Sequence, residues 1–234
     1  MTATQVRTSD GATMGAHLSL PAAGQGPGLV VLMEIFGVGP YIRRAAERLA
    51  ELGYVALAPD LYRRIAPGLE LGHDADGLAR GLETAQRLDP QGAVEDALSA
   101  MAALRERPEV DGRPVGLVGF CLGGTLAYEA AIAGDPALAV CYYGSGIADG
   151  LDRAERIACP MLFHFGAQDE YIPLEAAERV CALAAQREGW ECHIQPDAGH
   201  AFDNHESEMF HRPQPAARAW EITREFLARN LPAL

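Results

Sequence analysis

The 234-residue sequence is short of positive charge: 19 Lys+Arg face 32 Asp+Glu, for a formal net charge of −13 at pH 7. That balance argues against nucleic acid, whose phosphates are held by cationic surfaces. It also argues against anionic membranes, which attract polybasic segments. No apolar run approaches the roughly 20 residues needed to cross a bilayer. The opening stretch, Met1 to Asp10, has no basic segment leading into an apolar one, so no signal peptide is read there. The cysteines, at 121, 141, 159, 181 and 192, lack CxxC spacing and are odd in number. They read as reduced thiols of a cytoplasmic protein, most of them small buried hydrophobes. Repeats and low-complexity tracts are absent too. What remains is ordinary globular usage, 49% hydrophobic and 22% charged, which excludes disorder, collagen and coiled coil. The length suits one large domain over 1–234.

Short apolar runs alternate with helical patterns along the chain. Gly28 to Met33 is wholly apolar, as a central parallel strand requires. Ile42, Ala45, Ala46, Leu49 and Ala50 follow at helical spacing and Gly53 closes that helix. Further strands are expected at 54–58, 115–118, 137–142, 161–165 and 192–195. Helices are expected at 92–106, 122–133, 174–188 and 215–229. Residues 61–90 are the least regular, with a short helix near 76–87. The alternating segment before residue 20 reads as an antiparallel edge pair. Strand–helix alternation of this kind builds a mainly parallel α/β sheet with helices on both faces, and such sheets bind ligands at the carboxyl ends of their strands.

Strand 115–118 runs into Gly119-Phe120-Cys121-Leu122-Gly123-Gly124. This G-x-C-x-G run is a nucleophile elbow with cysteine in place of the commoner serine. The sharp turn crowds the residues two before and two after the nucleophile, so glycine is needed there. It leaves Cys121 at a helix N-terminus, where free amides favour a thiolate. The Leu122 amide would then face an oxyanion formed on the attacked carbonyl. An acid and a histidine follow in the order such a triad needs. Asp169, with Glu170 as competitor, sits just past strand 161–165, and His200 lies past the last strand in Ala198-Gly199-His200-Ala201-Phe202.

Glu34, at the end of strand 28–33, shares a sheet edge with Cys121. It would oppose a thiolate or accept the S–H proton, and the Ile35 amide would be a second oxyanion donor. His164 and His193 read as packing residues. His73, in the irregular loop, could touch a ligand. His200, His205, Glu208 and His211 lack the i, i+4 stacking of zinc helices, so no metal and no cofactor are expected.

Met33-Glu34-Ile35-Phe36-Gly37-Val38, Ala58-Pro59-Asp60-Leu61-Tyr62, the Cys121 elbow, Tyr142-Tyr143-Gly144 and Ala198-Gly199-His200 together resemble the dienelactone hydrolase (carboxymethylenebutenolidase) family. The resemblance implies an α/β-hydrolase fold, a metal-free Cys121–His200–Asp169 triad, and Glu34 as the acid that gates the thiol. It also implies two arginines gripping a substrate carboxylate, one of which pairs with that acid. Here the chain departs. Asn204 stands where the G-H-x-F-x-R segment would have its Arg, and Leu78 falls at the other position, with Arg80 close but out of register. Phe36, Tyr143, Arg80 and Asn204 are the expected substrate contacts, with Arg63 and Arg64 also near. The expected activity is hydrolysis of a small-molecule lactone or activated ester. The first alternative is a less anionic substrate, and the second is a non-catalytic ligand-binding or thiol-sensing protein. Oligomeric state is not legible.

Overall fold

A computed structural model describes residues 2–233; Met1 and Leu234, the ends of the expected domain, lie outside the described residues. One eight-stranded sheet carries all the named strands, in the order β1-β2-β4-β3-β5-β6-β7-β8. The strands are β1 (Thr2–Arg7), β2 (Thr13–Ser19), β3 (Gly28–Leu32), β4 (Val55–Pro59), β5 (Val115–Phe120), β6 (Ala139–Tyr142), β7 (Met161–Gly166) and β8 (Trp190–Gln195). The first two form the expected antiparallel pair, with Thr2 opposite Leu18, and β2 meets β4 antiparallel. Every other pairing is parallel. Strands β3, β4, β5, β6 and β7 are buried at every residue, because helices cover both faces.

Helix α1 (Pro40–Glu51) starts on a proline and buries Tyr41, Ile42, Ala45, Ala46, Leu49 and Ala50. It shares a face with α6 (Pro213–Asn230), where the Arg48 guanidinium lies 3.8 Å from the centre of the Trp220 ring. On the other face are α3 (Pro90–Arg105) and α4 (Leu122–Ala133), packed on each other, with α5 (Leu174–Ala184) beside β8. The irregular stretch does hold a helix, α2 (Ala75–Gln86), whose N-cap Asp74 accepts from the Gly77 amide at 2.8 Å. Arg63 and Arg64 do not reach the site. Both are drawn to fully buried Asp96, and both also contact Asp10, which pins the chain before α2 to the body of the sheet.

Two expectations need correction. The helix expected over 174–188 ends at Ala184, because Arg187 donates to the carbonyls of Ala154 and Ile157 and turns the chain into β8. The cysteines are not all free: Cys181 on α5 and Cys192 on β8 are joined as a disulfide, their Cα atoms 5.0 Å apart. An odd count and scattered spacing conceal a pair that only the packing of α5 on β8 brings together. Thiol titration of the unfolded, unreduced protein should therefore find Cys121, Cys141 and Cys159 alone. Removing the bridge by Cys181→Ser with Cys192→Ser should cost about 2–3 kcal/mol in chemical denaturation. A count of five thiols without reductant would contradict the pairing.

Candidate active site

Four strands end at one edge and each delivers a polar group. Register brings β3 and β5 level, with Leu32 opposite Gly119, so Glu34 and Cys121, each two residues on, emerge together. Cys121 sits at φ 54°, ψ −117°, in the left-handed half of backbone space where side chains are strained. The turn is tight enough that a Cβ on Gly119 would overlap the Gly123 carbonyl, and one on Gly123 would overlap Leu32. Both glycines of the motif are thus sterically obligatory. The amides of Leu122 and Ile35 donate to no other group among the described residues.

His200 Nε2 lies 3.1 Å from Cys121 Sγ, and Nδ1 lies 2.8 Å from Asp169 Oδ2. The Asp169 side chain is fully buried, and its other oxygen accepts from the amides of Tyr171 and Ile172. Glu170 is exposed and takes no part. Rings of Tyr171 and Tyr143 pack on the imidazole, with centroids at 4.9 and 5.3 Å. Burial alone would lower the imidazole, but its interactions with Cys121 Sγ and Asp169 outweigh it and carry His200 up to about 10. At neutral pH the ring then donates on both sides.

Glu34 is 1% exposed. Asn204 Nδ2 donates to its Oε2 at 2.6 Å, the Asn204 carbonyl accepts from the Glu206 amide, and Glu34 Oε1 has no partner. Burial pushes the Glu34 carboxyl up to about 8, against weaker downward pulls from His200 and Asn204. At pH 7 it is a neutral acid. Behind it, Asp203 accepts from the Tyr41 hydroxyl at 2.8 Å and faces Arg48 at 3.4 Å. Burial raises Asp203 to about 6. Asp203, Tyr41 and Arg48 were missed in the sequence, where only the acid beside Asn204 hinted at them.

A cavity of about 190 Å³ opens over Cys121, His200 and Glu34. Phe36 lines it. Leu78, Leu82 and Ala85 line it from α2, one helical face that the sequence did not single out. The other expected contacts are elsewhere. Arg80, on the opposite face of α2, points to solvent 3.8 Å from Asp76. Tyr143 is fully buried, its hydroxyl on that of Tyr41. Asn204 is spent on Glu34. His73 packs on the Phe36 ring at 4.4 Å and does not line the cavity.

The dienelactone hydrolase family model matches residues 14–231. The chain belongs to that family. A carboxymethylenebutenolidase of a Pseudomonas species is 37% identical over 223 residues, covering 95% of this chain and 92% of that one. The Pseudomonas putida carboxymethylenebutenolidase is 35% identical over 224 residues, covering 95% and 94%. Among solved structures, a Klebsiella pneumoniae protein assigned as a dienelactone hydrolase superposes with a TM-score of 0.80 at 28% identity, covering 97% and 98% of the two chains. This dienelactone hydrolase-like protein is accordingly a hydrolase of the α/β-hydrolase fold. No helix among its described residues is long and apolar enough to cross a membrane.

Proposed function

We propose that the protein hydrolyses a small lactone or activated ester through a covalent thioester on Cys121. The observation that carries this reading is the contact chain Cys121 Sγ, His200, Asp169 at 3.1 and 2.8 Å beside an open cavity. Cys121 Sγ attacks the acyl carbon and forms a C–S bond, while the carbonyl oxygen takes the electron pair between the Ile35 and Leu122 amides. As the intermediate collapses, the C–O bond to the leaving group breaks and His200 Nε2 gives it a proton. The neutral imidazole then takes a proton from water, which attacks the thioester. The second collapse breaks the C–S bond, releases the acid and returns the sulfur to His200. Asp169 holds Nδ1 throughout and balances the charge of the imidazolium.

Glu34 acts in this reading as a neutral neighbour that places no negative charge beside Cys121 below about pH 8. The lactone class is supported by the relatives, whose name denotes cleavage of a butenolide. A cytoplasmic setting is proposed on the ground that the nucleophile works only as a free thiol, and the Cys181–Cys192 bridge weighs against it, because such bonds are rare in that compartment. Acid quenching during turnover of an aryl ester should leave one acyl group on the Cys121 peptide by mass spectrometry. Steady turnover with no adduct at any time, even with an activated acyl donor, would overturn the covalent route. A stable adduct without product release would instead mark a thiol sensor.

A further inference from the structure

Resting on the reading of Cys121 as nucleophile, we propose that this site is selective for uncharged substrates, lactones or esters whose acyl part bears no carboxylate. The observation is an electrostatic inventory of the cavity. Its apolar wall is Phe36, Leu78, Leu82, Ala85, Leu122 and Phe210, and no arginine lines it. The sequence contains no lysine at all, so arginine is the only permanently charged cation the chain can offer.

The arginines expected near the site from the sequence, and Arg48 behind Glu34, are committed elsewhere. Arg80 projects to solvent beside Asp76, and Arg48 faces buried Asp203. Arg63 and Arg64 are held by Asp96 and Asp10. An adjoining cavity of about 510 Å³ carries Arg153 and Arg156 but meets the Cys121 cavity only at Ala85 and Leu122. There Arg153 is occupied by Glu129, with both contacts at 2.6 Å.

His200 is cationic at neutral pH, but its two ring nitrogens are already spent on Asp169 and Cys121. The one carboxyl in the lining, Glu34, offers an anion no charge, only a neutral O–H donor, while protonated, and repulsion once ionised. A substrate carboxylate drawn into this cavity would lose its water and find no free cation, only the neutral hydroxyls of Ser145 and Tyr171 among the lining side chains. The chain's net charge of −13 adds a long-range field of the wrong sign. The carboxymethylene group in the relatives' name is the kind of anionic group that this cavity does not accommodate.

The test is a matched pair of substrates, para-nitrophenyl butyrate and para-nitrophenyl hemisuccinate, in which a carboxylate replaces the terminal methyl. After subtraction of spontaneous hydrolysis, the neutral ester should be favoured in kcat/KM by about tenfold or more at low salt. Leu82→Arg places a cation at the cavity mouth, where Leu82 is already 39% exposed. It should shift the ratio toward the hemiester by about fivefold or more, whereas Leu82→Met, a control for size, should leave the ratio unchanged. Equal or better turnover of the hemiester by the wild type would overturn the selectivity alone. Failure of both esters to show Cys121-dependent turnover would overturn the hydrolytic reading, and the selectivity with it.

Discussion

Cys121→Ala should lower kcat/KM for every ester or lactone the enzyme accepts by about 10⁴-fold or more, with the fold intact. Losses of that size follow when the atom that forms the covalent bond is removed. The oxyanion amides and the cavity then act alone, and they supply only part of the acceleration. The substitution is structurally mild. Alanine keeps the Cβ that already tolerates φ 54° at this turn, and the backbone bond from the Cys121 amide to the Tyr142 carbonyl, 3.0 Å long, is unchanged. Only the sulfur is lost, from a half-buried position beside His200. Steady-state kinetics with a thermal melt of both proteins separates the two effects. Activity within about tenfold of wild type would remove Cys121 from the role of nucleophile, whatever its contact with His200.

How much of this site the sequence reveals depends on whether a residue's position is set locally. The elbow is legible because Gly119 and Gly123 are fixed by a turn of five residues, and any side chain there would collide with the backbone. The buried strands are legible because burial on both faces leaves continuous apolar runs such as Gly28 to Leu32. Asp169 and His200 are legible from their order and from their places just past β7 and β8.

Residues whose direction is set by a distant contact are not legible. Asn204 lies four residues after His200 and reads as a substrate contact. The left-handed turn at Ala201, φ 51°, and the bond from the Asn204 amide to the Ala201 carbonyl send its side chain back to Glu34. Tyr143 follows β6 toward the site, but φ 37° places its ring in the core behind the imidazole. Arg80 sits two residues from Leu78, which on a helix means the far side. The Cys181–Cys192 bridge depends on α5 lying against β8, and no spacing rule reports that.

Replacing Glu34 by glutamine should stabilise the protein, and by an amount that grows with pH. The Glu34 carboxyl is pushed by burial from an ordinary 4.5 up to about 8 in the folded chain. Below pH 4.5 both the folded and unfolded chains hold this proton, so it has no effect on stability. Between 4.5 and 8 the unfolded chain gives the proton up while the folded chain keeps it. Stability therefore falls as pH rises, by up to about 1.4 kcal/mol per pH unit. Above 8 the folded form ionises too and the loss levels off.

Glutamine has the shape of the neutral acid. Its carbonyl can accept from Asn204 Nδ2, and its amide nitrogen can occupy the place of Oε1, which has no partner in either case. It does not titrate, so the penalty disappears. The variant should match the wild type near pH 4.5 and exceed it by about 3 kcal/mol near pH 7.5 in urea denaturation. Asp203, raised to about 6, titrates in both proteins and largely cancels in the difference. Activity at pH 7 should stay within a few-fold, since the wild-type side chain is already uncharged there. A stability difference that does not change between pH 5 and 8 would mean that Glu34 is ionised in the folded protein. The nucleophile would then work beside a full negative charge, and Asn204 would be the donor that holds a carboxylate in place.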